Sequence, residues 1–183
     1  MQFIYEEAAF EKVCKITYPS FGDASRGADK LFEIKDSNIF SRLNFHPAES
    51  LLLHSGRGTL RGMHYQSWDC NRQNRLLYIV GGRVFIAVVD LREHKSTYGC
   101  WRGITMSEAD QACLYVPGDF AIGTLAEQDS RILMFYDKAY EDGFDCGFRF
   151  DDQDVGIVWS MPEHEILVAE KDLLLPAFQE RSK

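Results

Sequence analysis

The sequence predicts an all-β protein built as an antiparallel sandwich or barrel, and three observations carry that prediction. Residues from about 50 to 138 are dense in Val, Ile, Leu, Phe and Tyr and show little helical periodicity. The apolar runs have strand length. Turn residues separate them, Gly81-Gly82 and Pro117-Gly118-Asp119 most clearly, at the spacing of an antiparallel sandwich.

In chain order, residues 12–18 and 30–34 read as strands and 37–43 as a short peripheral helix. Residues 51–55 and 59–66 follow as strands. Residues 75–80 and 83–91 are two strong strand formers joined by Gly81-Gly82, the pair that a two-residue turn with positive φ favours, so a tight antiparallel hairpin is expected there. Strands at 99–106 and 112–116 come next. After the Pro117-Gly118-Asp119 turn come strands at 122–125 and 131–136. The tail from Pro162, with Ile166, Leu167 and Val168 and then 173–175 before Pro176, reads as a docked loop with a helical turn. No repeat, low-complexity segment or linker interrupts the chain, and its 183 residues suit a single domain, 1–183.

Hydrophobic residues make up 45% and charged residues 26%, which argues against a disordered chain, a collagen-like chain or a disulfide miniprotein. Twenty Lys and Arg against 28 Asp and Glu give a net charge of −8. Such a chain has no general attraction to nucleic acid or to an anionic membrane, so an anionic ligand needs a local basic site. The longest apolar runs, 76–80 and 84–89, fall far short of the ~20 residues of a membrane-spanning helix. The first ten residues carry Glu6 and Glu7 and lack the pattern of a secretory signal, so a cytoplasmic protein is expected. Five cysteines without C-x-x-C spacing read as free thiols, mostly buried packing residues.

From Arg57 to Arg83 the acidic average inverts: Arg57, Arg61, Arg72, Arg75 and Arg83 stand against Asp69. Arginine forks suit phosphate, carboxylate or enolate oxygens, although the same side chains also suit a solvated face paired with the acidic excess. Within this island lies His64, open to three readings: a base, a metal ligand or a satisfied core side chain. The metal reading is poor, because the first metal motif of β-barrel cupins needs a second histidine where Gln66 stands. His46, His54, His94 and His164 are isolated. Strict strand alternation points Arg61 and His64 to opposite faces, so a shared site requires a bend or bulge, which Gly62 permits.

The segment Leu60-Arg61-Gly62-Met63-His64-Tyr65-Gln66 resembles the signature of the dTDP-4-dehydrorhamnose 3,5-epimerase family, a branch of the cupin jelly rolls. The resemblance continues through Gln73-Asn74-Arg75, Gly82-Arg83-Val84, Val88-Val89-Asp90-Leu91-Arg92, Ser96-Thr97-Tyr98-Gly99 and Trp101. Beyond them it takes in Pro117-Gly118-Asp119-Phe120-Ala121, Tyr140, 152–159 and Glu170-Lys171-Asp172, about residues 55–176 in all. The N-terminal third matches poorly. There Ser25-Arg26-Gly27, followed by Leu31-Phe32-Glu33, resembles the family's substrate-binding Arg-Gly loop with extra residues inserted.

The resemblance implies a cupin-type jelly roll and an epimerase for a nucleotide-diphosphate-linked 4-keto-6-deoxyhexose, on a dTDP or UDP carrier, of the kind used for surface polysaccharides. It makes His64 the base and Asp172 its carboxylate partner, with Arg61 and Arg75 near the oxygen that becomes the enolate. Arg75 stands where the family usually has lysine. Gln66, Tyr140 and Arg26 are implied in substrate binding. No metal or organic cofactor is implied, because the substrate's ketone is the electron sink, and a homodimer with crossing N-terminal strands is. Two positions depart from the pattern. The family's proton-donating tyrosine falls on Met134, and a thioether has no proton to donate. Tyr136, two residues along on the same strand face, is the candidate replacement. Ile122 stands where the family has a histidine lining the site. The alternative function is an altered homologue that binds a nucleotide sugar or partners another sugar-pathway enzyme.

Overall fold

The computed structural model describes residues 3–22, 26–32, 43–67 and 72–181. Among them the strands are β1 (Ile4–Glu7), β2 (Cys14–Thr17), β3 (Ser20–Gly22), β4 (Gly27–Asp29), β5 (Glu49–Ser55), β6 (Thr59–Gln66) and β7 (Arg75–Gly81). These are followed by β8 (Arg83–Asp90), β9 (Trp101–Ser107), β10 (Ala112–Val116), β11 (Phe120–Ala126), β12 (Ser130–Tyr136), β13 (Asp145–Gly147) and β14 (Leu167–Val168). One helical turn, α1 (Glu170–Leu173), follows β14. The expected strand at 30–34 is absent over 30–32, and its last two residues lie outside the described chain, as do 37–42 of the expected helix.

Two antiparallel sheets face each other, one ordered β1-β2-β10-β7-β12-β5 and the other β13-β6-β11-β8-β9, with β14 parallel to β6. From β5 to β13 the chain alternates between the sheets, save for the β8–β9 pair, which is the winding of a jelly roll. This corrects one expectation. β7 and β8 do not pair: β7 lies between β10 and β12, β8 between β11 and β9. Gly81-Gly82 is the corner between the two sheets. Gly82 has φ +77, and a Cβ there would lie 2.3 Å from the Asp129 carbonyl oxygen, so the glycine signal was real but marked a sheet change.

The core between the sheets takes Leu77, Ile79, Leu114, Val116 and Ile132 from one side and Val84, Ile86, Val88 and Met106 from the other. The outer faces are also covered. Ile16, Tyr18 and Phe45 pack with Leu76, Tyr78 and Cys113 outside the first sheet; Phe148, Val155 and Phe178 pack with Ala87, Val89 and Leu91 outside the second. Burial on both faces explains why β7 and β8 are nearly continuous apolar runs instead of alternating ones. The cysteines depart from expectation: of the four described, Cys113 is buried, Cys14 and Cys146 are half-buried, and Cys100 is exposed.

At the end of β8 the fully buried Asp90 accepts two hydrogen bonds from the Arg92 side chain, at 2.8 and 2.7 Å, and one from Thr97 at 2.5 Å. Burial pushes the Asp90 carboxyl up, but these donors more than offset it and hold its pKa below the ordinary value. Asp90→Ala would leave the buried Arg92 with the more distant, exposed Glu11 at 3.8 Å as its remaining carboxylate. It is expected to destabilise the fold by about 3–5 kcal/mol, measured by denaturant unfolding.

Candidate active site

Every sequence-predicted site residue except Arg26 lines one cavity of about 510 Å³ at the open end of the sandwich. β6 supplies Arg61, His64 and Gln66; β11 supplies Ile122; β7 supplies Arg75; β12 supplies Met134 and Tyr136; α1 supplies Asp172; and Tyr140 follows β12. Arg26, exposed immediately before β4, is not part of that lining. Sequence reasoning missed Asp145, Glu49 and Lys171, which also line it. Lys171 stood inside a quoted motif, whereas no local pattern around Asp145 or Glu49 marked either.

Arg61 and His64 share the cavity because β6 is bulged. Thr124 pairs with Arg61 and Ile122 with His64, so three steps on β6 match two on β11. The extra residue falls at Gly62-Met63. Gly62 has φ +122, and a Cβ there would lie 2.7 Å from the Ile122 carbonyl oxygen, so glycine alone suits the position. Arg61 is held by hydrogen bonds to Ser55 Oγ at 3.1 Å and the His54 carbonyl at 2.9 Å.

His64 Nε2 lies 3.1 Å from Asp172 Oδ1, and Asp172 Oδ2 accepts the Gly62 N–H at 3.0 Å. Only 2% of the Asp172 side chain is exposed, against 26% for His64. Burial pushes the Asp172 carboxyl up, but the hydrogen bonds from His64 and Gly62 outweigh it and hold its pKa below the usual carboxylate value. An ionised carboxylate only accepts. Nε2 therefore carries a hydrogen, and in the neutral ring the lone pair is on Nδ1.

From the opposite sheet comes Arg75, 4% exposed, with a long hydrogen bond of 3.5 Å to the Phe120 carbonyl. Among the described residues no carboxylate lies within ion-pair distance of it. Burial pulls its pKa down, with Tyr136 and Asp145 pulling the other way. A buried, incompletely compensated cation is costly, and an arriving oxyanion offsets that cost. Tyr136 donates its hydroxyl hydrogen to Met134 Sδ at 3.4 Å, and burial raises its pKa while Arg75 lowers it. Ile122 and Met134 are buried apolar residues of the inter-sheet core.

The family model for dTDP-4-dehydrorhamnose 3,5-epimerase matches residues 7–180. The chain belongs to this family. A dTDP-4-dehydrorhamnose 3,5-epimerase of Methanothermobacter thermautotrophicus is 35% identical over 120 residues, 64% of this chain and 64% of that protein, so the matched segment spans a little under two thirds of the relative. The epimerase structure from Elizabethkingia anophelis superimposes with a TM-score of 0.86 at 25% identity, covering 97% of each chain. A 3,5-epimerase from Legionella pneumophila in complex with dTDP-4-keto-L-rhamnose superimposes with a TM-score of 0.88 at 21% identity, over 98% of this chain and 94% of that one. These confirm the cupin-type jelly roll. No helix among the described residues is long and apolar enough to cross a membrane.

Proposed function

We propose that this family member is an epimerase of a nucleotide-diphosphate-linked 4-keto-6-deoxyhexose, inverting C3, C5 or both. The observation that carries the reading is the pairing, across one cavity, of the His64–Asp172 couple with the buried Arg75 guanidinium. Nδ1 of His64 removes the hydrogen on the carbon next to the ketone as a proton. The C–H electron pair moves into the ring to form the enolate, and its charge develops on the ketone oxygen beside Arg75 and Arg61. Asp172 keeps the Nε2–H oriented and stabilises the imidazolium. Tyr136, projecting from the opposite sheet to His64, returns a proton to the other face of the ring. Its place beside Met134 supports that role, since the pocket keeps a phenol two residues from the position that lost one. Gln66 and Tyr140 contact the substrate.

The reading includes a homodimer in which Arg26, outside this chain's own cavity, serves the site of a second copy. The test is incubation with dTDP- and UDP-linked 4-keto-6-deoxyhexoses in deuterated water, followed by NMR or mass spectrometry. Deuterium at C3 or C5 is expected, and the labelled position identifies the carbon. Binding without incorporation would replace this reading with a binding role.

A further inference from the structure

We propose that Asp145 is a positioning residue that strengthens His64 as a base, acting as a second carboxylate on the ring nitrogen that Asp172 leaves free. The proposal rests on the reading of His64 as the base. Asp145 Oδ1 lies 3.8 Å from His64 Nδ1, and among the described residues it is the only carboxylate within ion-pair distance of that nitrogen. β13 pairs with β6 with Gly147 opposite His64 and Asp145 opposite Gln66, which brings the carboxylate alongside the imidazole. Tyr140 lines the same cavity as Asp145. Burial and the carboxylates of Asp145 and Asp142 push the Tyr140 phenol up to about 12, so at neutral pH it keeps its proton.

The electrostatics follow from the tautomer. With Nε2–H committed to Asp172, the carboxylate of Asp145 faces a lone pair on neutral His64, an electron-rich contact that gains nothing. When Nδ1 takes the substrate's proton, the same carboxylate faces an N–H of an imidazolium flanked on both sides. Asp145 thus favours the protonated ring at the moment the enolate forms. Arg61, Lys171 and Arg75 line the same cavity, as do Tyr136, Glu49 and Tyr65. Cations there disfavour a charged ring and carboxylates favour one. Asp172 is the carboxylate at Nε2, and Asp145 is the one placed at Nδ1, where the incoming proton arrives.

The test is an NMR titration of the His64 ring in the full-length protein and in Asp145→Asn, the signal being assigned with His64→Gln. In Asp145→Asn the midpoint is expected to move to lower pH by about one unit, a tenfold drop in proton affinity. The acid limb of the deuterium-exchange profile should move with it, and Asp145→Glu should restore both. An unchanged midpoint, or a rate loss at every pH with no movement of the limb, would overturn the proposal. The titration needs no substrate, so absence of exchange in the unmodified protein would sink the epimerase reading and leave the Asp145 result interpretable on its own.

Discussion

His64→Ala is expected to lower the rate of solvent deuterium incorporation into the keto sugar by about 10²- to 10⁴-fold, the usual contribution of a positioned general base. Circular dichroism should change little, because the side chain lies at the cavity surface, 26% exposed, whereas the unfolding midpoint should fall somewhat, because the buried Asp172 carboxylate keeps the Gly62 N–H but loses the imidazole. Asp172→Asn is expected to cost a comparable factor for a different reason. An amide can donate to Nε2 and so favour the tautomer with hydrogen on Nδ1, which leaves no lone pair toward the substrate. A near-normal exchange rate in either variant would remove the couple from the mechanism. Asp172 also makes a pH prediction. Its pKa is lowered in the folded protein, so its contribution to stability is present above the unfolded carboxylate value of about 4 and is lost as pH falls through the folded value. That part of the acid sensitivity should disappear in Asp172→Asn.

Tyr136→Phe is expected to separate two events that wild-type protein couples. If His64 removes the proton from one face and Tyr136 supplies one to the other, loss of the phenol should suppress inversion by about 10²-fold or more. Wash-in of deuterium with retained configuration, which His64 can perform by itself, should fall less. Equal loss of both, or of neither, would count against Tyr136 as the acid. Met134→Tyr is the complementary change. It places a phenol at the family's usual position in the pocket, next to the present Tyr136 hydroxyl. The ratio of doubly to singly inverted product, read by NMR, should rise; an unchanged ratio would shift attention to Ile122.

Several features of this arrangement were legible in the chain itself. β6 and β10 begin and end at the expected residues, because local β propensity and the flanking turn residues agree there. Met134 and Tyr136 share a strand face by simple alternation and meet in the cavity. The need for a bulge at Gly62 followed from the conflict between alternation and a site shared by Arg61 and His64. By contrast, Asp145 is held at His64 by the pairing of β13 with β6 across about eighty residues, and nothing local at Phe144-Asp145-Cys146 records it. Glu49 enters the cavity only because β5 forms the edge of the first sheet beside β12.

The residues alone thus indicated the strands between 51 and 136 and where the chain must turn there, because each depends on neighbours a few positions away; the cavity residues were indicated by the family resemblance, and β13 with Asp145 was not indicated at all. Tertiary structure decided that Gly81-Gly82 is a corner and not a hairpin, since both faces of β7 and β8 are buried and each strand already has partners on two sides. It also decided the tautomer of His64. The hydrogen sits on Nε2 of His64 because Asp172, more than a hundred residues away, is ionised, buried and held by Gly62, and such long-range desolvation and hydrogen bonding leave no trace in local sequence.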